Sequence, residues 1–132
     1  MSLIASNLSI KHEKNFHLND VSFSMSKGEI YTIIGRTLAG KTTLLKTIAG
    51  LISPDSGGLT FDGHDFGSIP VWKREIAMVY QQFINYPHLT VYQNVAFPLK
   101  QRGIQKTEIN RRVITALSQV GLEGFGDRKI QA

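Results

Sequence analysis

The chain has 132 residues, 42% of them apolar and 19% charged, with a formal charge of +5 and no cysteine. That length suits one modest domain with a real core, and the missing thiols exclude disulfides and thiolate-bound metals. No stretch nears the roughly 18–20 apolar residues that cross a bilayer, the start is too weakly apolar for a signal peptide, and the lysines and arginines are scattered, which argues for solvated surface and against nucleic acid.

In chain order, SLIASNLSI at 2–10 reads as a short strand, and VSFSM at 21–25 alternates apolar and polar as a half-buried strand does. Ser26, Lys27 and Gly28 make a turn. EIYTIIG at 29–35 is a near-continuous run of β-branched and aromatic residues, the pattern of a strand covered on both faces. From Lys41 to Ala49 the period becomes helical: Leu44, Leu45, Ile48 and Leu51 or Ile52 share a face, and Gly50 stands where a helix stops. SPDSGG at 53–58 is a turn cluster, and LTFDGHDF at 59–66 holds an Asp-Gly turn between short strands. IAMVY at 76–80 reads as a second buried strand ending in Gln81 and Gln82. Pro87 and Pro98 break up the stretch that follows. A helix is expected over 107–120, capped by Thr107, with Glu108 in its first turn. Its apolar stripe is Ile109, Val113, Leu117 and Val120, and Gly121 ends it. The tail EGFGDRKIQA carries no pattern.

Between the buried strand and the first helix, residues 35–42 read GRTLAGKT, a gapless G-x-x-x-x-G-K-[ST]. Each fixed position has a physical task. Gly35 and Gly40 allow a tight turn and close approach to phosphate oxygens. The N–H groups of Arg36, Thr37, Leu38 and Ala39 can then form an anion nest. The helix beginning near Lys41 adds its positive end, along Thr42 and Thr43. Lys41 supplies a point charge to the β- and γ-phosphates, and Thr42 offers a hydroxyl to Mg²⁺. A lysine at a helix N-terminus is electrostatically unfavourable unless an anion sits beside it. ATP with Mg²⁺ is the ligand this pattern predicts.

The loop, the helix TTLLKTIAGL, the turn PDSGG, the pair FDG and the run REIAMVYQQFINYPHLTVYQNVAFPL together resemble ABC-transporter ATP-binding subunits, from about Leu3 to Lys129. The resemblance implies an α/β fold: a P-loop NTPase (ABC ATPase) core with an N-terminal antiparallel β part. It implies that Gln81 is the Q-loop glutamine, a second Mg²⁺ contact beside Thr42, with Gln82 one position away. It implies that 83–92, FINYPHLTVY, docks on transmembrane permease subunits, with Phe83, Tyr86 and Tyr92 as aromatic anchors. The adenine-stacking position falls on His12, with Phe16 close by. A second ATP-binding subunit, a cytoplasmic location and peripheral attachment to the inner membrane follow from the same likeness. The pieces TLAGKTT and VYQQFINYP are similar to carbohydrate and polyol importers of glycerol type. The family often has Pro, Ser and Gly where this chain has Arg36, Thr37 and Leu38.

The family's signature segment, its Asp-Glu strand end and its switch histidine are absent from 1–132, so the chain reads as a partial nucleotide-binding domain that stops before the signature. It offers no base at a family position, and nothing in the sequence supports Glu29 in that role. Because phosphoryl transfer needs several groups acting together, the expectation is ATP binding without hydrolysis by this chain. A non-catalytic nucleotide-binding or interaction module is the alternative. A small-molecule kinase is the third reading, and the Q-loop region argues against it.

Overall fold

The computed structural model describes residues 2–131. It divides into two compact units, Met1–Val79 and Tyr80–Ala132, each with its own apolar core.

The first unit is built on a long hairpin. β1 (Ser2–His12) pairs antiparallel with β2 (Asn15–Ser26). β1 also pairs with β3 (Ser56–Phe61), which turns through Asp62 and Gly63 into the short β4 (His64–Asp65), giving the order β2-β1-β3-β4. Both hairpin strands are longer than their sequence pattern suggests, because bulges interrupt the alternation. Asn7 and Asp20 adopt positive φ where the register shifts. Their side chains hold the irregularity together, Asn7 Nδ2 donating to Asp20 Oδ1 at 2.7 Å. Short polar side chains tolerate this backbone and bridge it locally.

α1 (Lys41–Ala49) follows a loop and packs on this sheet. Gly50 ends it with φ 81°, and the Leu51 N–H returns to Lys46 O at 2.9 Å. Leu44 and Ile48 are buried with Ala5, Leu8, Leu18, Leu59 and Phe66. Leu45 and Leu51, expected on the same face, are exposed, whereas Ile52, the alternative to Leu51, is half-buried and Thr47 is buried. Thr47 is tolerated there because its hydroxyl donates to Thr43 O at 2.8 Å.

The two expected buried strands differ most from their reading. Residues 29–35 and 76–80 join no ladder among the described residues. Ile30 is 98% exposed, Ile34 90% and Val79 96%. A strand covered on both faces needs lateral neighbours and helices above and below. The four strands of this sheet pair only with one another, so these segments receive none. Ile33 alone among them packs on the first core.

In the second unit, α2 (Val91–Gln101) and α3 (Lys106–Gln119) pack through Ala96, Ile109, Val113 and Leu117. α2 opens with a reciprocal cap: Gln93 N donates to Thr90 Oγ1 at 3.2 Å, and Thr90 N to Gln93 Oε1 at 2.9 Å. Pro98 lies inside this helix and does not break it. Proline removes a single interior hydrogen bond, and the apolar face carried by Val95, Ala96 and Leu99 outweighs that loss. α3 begins one residue earlier than expected, with Gln105 as its N-cap, so Thr107 is already helical and caps nothing. Val120, expected in the stripe, is exposed at the C-cap, and Gly121 follows with φ 71°. The patternless tail is tied back by Val91 N to Arg128 O at 2.9 Å and Tyr92 N to Gly126 O at 2.8 Å.

Candidate nucleotide-binding site

Gly35–Thr42 forms a closed loop that ends in the first turn of α1. Ala39 N donates to Arg36 O at 3.1 Å, and Leu44 N to Gly40 O at 2.9 Å. The Lys41 ammonium turns back into the loop and donates to Gly35 O and Arg36 O, each at 2.6 Å. The lysine is thereby held against the first two carbonyl oxygens of its own loop.

Gly40 is obligatory. Its φ is 91°, and a Cβ built there would lie 2.2 Å from His17 O and 3.2 Å from Leu18 Cδ2. Leu38 also has positive φ, 67°, without being glycine, and its side chain is 98% exposed. A β-carbon in this region is strained by about 1–2 kcal/mol. The departure from glycine at this position is therefore a departure in backbone energy.

The N-terminus of α1 lacks a side-chain cap and has no acid in its first turn. Its first N–H groups therefore remain available to an acceptor, and the helix end carries partial positive charge. Thr42 sits in that first turn with an exposed side chain, and Thr43 beside it is half-buried. One hydroxyl next to an anion cradle suits Mg²⁺, which keeps waters and takes most other ligands from the phosphates it accompanies. Among the described residues no group of three His, Asp or Glu could hold a metal without such help.

The contact of Gly40 with His17 and Leu18 brings the tip of the β1–β2 hairpin against the loop. His12 and Phe16 both lie at that tip, in register with Asn15 and Lys11 respectively. The His12 ring faces the His17 ring at 5.8 Å, and Lys11 Nζ lies 5.5 Å from the Phe16 centroid. Both residues are exposed. His17 itself is not legible in the sequence, where the second strand is expected to begin only at Val21. The one available signal is Leu18, an isolated apolar residue between polar neighbours.

Glu29 is engaged by Tyr31, whose hydroxyl donates to Glu29 Oε2 at 2.5 Å and accepts from Ser26 N at 2.8 Å. That arrangement gives no support to Glu29 as a base. Arg74 is a further residue that sequence pattern does not reveal. It donates to Ile69 O at 2.8 Å, Ile48 O at 2.9 Å, Gly67 O at 3.0 Å and Thr47 O at 3.3 Å. Its cation thus closes the negative C-terminal end of α1 and lies 4.8 Å from the Phe66 ring centroid. Desolvation lowers the Arg74 pKa, and the Asp65 carboxylate opposes that shift.

Gln81 and Gln82 belong to the second unit and are both exposed. In the 83–92 segment the three aromatic residues differ. Phe83 is fully exposed, at 100%. Tyr86 packs on Phe97 with centroids 4.7 Å apart, and its backbone is clamped by Asn94, which accepts from Tyr86 N at 2.8 Å and donates to Tyr86 O at 3.1 Å. Tyr92 packs against the second core. Phe83 is therefore the free aromatic ring of this segment.

No helix among the described residues is long and apolar enough to cross a membrane. A family model described as ABC transporter matches residues 18–132. Among solved structures, the chain is similar to a dimeric post-hydrolysis state of the ATP-binding cassette MJ0796 bound to ADP and Pi, at 25% identity and a TM-score of 0.84. That match covers 98% of this chain and 62% of the other, so the chain spans less than two thirds of that relative's length.

Proposed function

The chain belongs to the ABC transporter family and carries the fold of its ATPases, with an antiparallel sheet on its N-terminal side, and from this we propose that it serves as the ATP-binding part of a transporter's energising subunit. The observation that carries this reading is the Lys41 ammonium poised between Gly35 O and Arg36 O at the capless N-terminus of α1. A cation at that end of a helix is favourable only with an anion beside it. Nucleotide phosphates supply the anion, and Mg²⁺ neutralises part of their charge when bound.

In this reading Gly35 to Thr43 cradle the phosphates, Thr42 contributes an oxygen toward Mg²⁺, Gln81 has the part of the Q-loop glutamine, and His12 or Phe16 stacks on adenine. Phe83, free at the start of the 83–92 segment, supports docking on transmembrane permease subunits. The dimeric relative supports a second ATP-binding subunit, and the protein would work in the cytoplasm on the inner membrane face. A sugar or polyol such as glycerol is the proposed solute, on the likeness of TLAGKTT and VYQQFINYP alone.

The test is titration calorimetry with Mg-ATP on this chain and on Lys41→Ala. Micromolar to millimolar binding that falls at least tenfold in the variant is expected. Equal binding by both folded proteins would overturn the assignment of the loop.

A further inference from the structure

Within the phosphate loop, Arg36 has no part in the motif's fixed chemistry. Its backbone oxygen accepts from Lys41 Nζ at 2.6 Å and from Ala39 N at 3.1 Å. Its side chain is exposed and makes no hydrogen bond or ion pair among the described residues. No Asp or Glu occurs between Glu29 and Asp55, so the loop and helix carry Arg36, Lys41 and Lys46 with no acid among them. The flanking acids are both engaged, Glu29 with the Tyr31 hydroxyl and Asp55 Oδ2 with Lys11 N at 2.7 Å.

We infer that Arg36 is a second phosphate-binding cation of this loop, directed at the terminal phosphoryl group of a nucleoside triphosphate. This rests on the reading of Gly35–Thr42 as a nucleotide site. The backbone carbonyl of residue 36 lies one hydrogen bond from the Lys41 ammonium, so the exposed guanidinium springs from the same stretch of loop that holds that charge and can swing toward a ligand bound there. Lys41 divides its charge between the ligand and two carbonyl oxygens, whereas Arg36 has no such competitor. A guanidinium also offers a planar fork that matches phosphate oxygens two at a time. The consequence is discrimination by charge: a triphosphate gains from Arg36, and a diphosphate, ending one phosphoryl group short, gains little.

The experiment is calorimetric titration of the full chain, Arg36→Ala, Arg36→Lys and Lys41→Ala with Mg-ATP, Mg-ADP and inorganic pyrophosphate, at low and high salt. Circular dichroism verifies that each variant is folded. Arg36→Ala is expected to weaken ATP binding about threefold to tenfold, as one partly screened charge contact does. ADP binding should change less than twofold, Arg36→Lys should restore part of the loss, and the ATP effect should shrink at high salt. An equal loss for ATP and ADP, or none for either, would overturn the role of Arg36 while a large Lys41→Ala effect left the nucleotide site standing. Failure of the folded parent chain to bind ATP would overturn both.

Discussion

Leu38 and Gly40 show how differently two left-handed positions in one loop are constrained. Gly40 is fixed by space, because any Cβ there would run into His17 O at 2.2 Å. Leu38 is almost wholly exposed, so only its own backbone conformation opposes the side chain. Leu38→Gly would relieve about 1–2 kcal/mol of strain and would lose about 0.5–1 kcal/mol by loosening the unfolded chain. A net stabilisation of up to about 1.5 kcal/mol is expected in urea unfolding, since the exposed side chain contributes no burial that its removal would forfeit. Destabilisation would mean that Leu38 packs favourably in the folded state by more than its strain. The motif's glycines and lysine are legible from the sequence because the chemistry fixes both type and spacing. His17 is not, because its contribution is a backbone oxygen, and any residue carries one.

At the scale of elements, α1 and α3 are each finished by charge. Arg74 closes the C-terminus of α1 and bonds four carbonyl oxygens in all. Arg74→Ala should cost about 1–3 kcal/mol, the value of charge-assisted hydrogen bonds at a partly exposed site. Arg74→Lys should not recover it, because a single ammonium cannot span those oxygens. Thermal unfolding of the two variants measures both expectations. In α3, Glu108 accepts from Arg111 at 2.8 and 2.7 Å and from Arg112 at 2.7 Å. These bonds, with the charges behind them, hold the Glu108 carboxyl down at about 2 against an ordinary 4.5. A carboxyl depressed in the folded state stabilises it above the ordinary value and loses that effect as pH falls. The contribution of this exposed cluster should therefore disappear between about pH 4.5 and 2 and weaken with added salt. An NMR titration of Glu108 reads this directly, and a midpoint near 4.5 would contradict it. The sequence places Glu108 correctly in the first turn, but its arginine partners follow from helical geometry at spacings of three and four.

For the whole molecule, the question is what 132 residues can do with a bound nucleotide. The G-x-x-x-x-G-K-T loop with Thr42, and Gln81, are all in the sequence, and Glu29, the acid nearest the loop along the chain, is engaged by Tyr31. The purified chain is therefore expected to bind Mg-ATP without steady hydrolysis, measured by phosphate release over hours at saturating ATP. Sustained release sensitive to Lys41→Ala would show that a base exists here that the geometry does not reveal. The exposure of Ile30, Ile34 and Val79 makes the same point about packing. These residues have the composition of a buried sheet, and the four-stranded sheet of the first unit does not cover them.

By itself, the sequence determined the glycine-containing loop that leads into α1, the extent of α1, the turn at Asp62–Gly63 and the apolar stripe of α3 through Leu117. Each is written locally, in residue types whose backbone freedom, charge or period acts within a few positions. Only the tertiary structure decided the rest. The bulges at Asn7 and Asp20 lengthen the hairpin past its alternating stretch. Packing carries α2 through Pro98. Gly40 meets His17 from a strand more than twenty residues away, and Arg74 reaches back to α1. Residues 29–35 look like a buried strand yet join no ladder, because a strand is made by its neighbours and a sequence specifies those only through the fold.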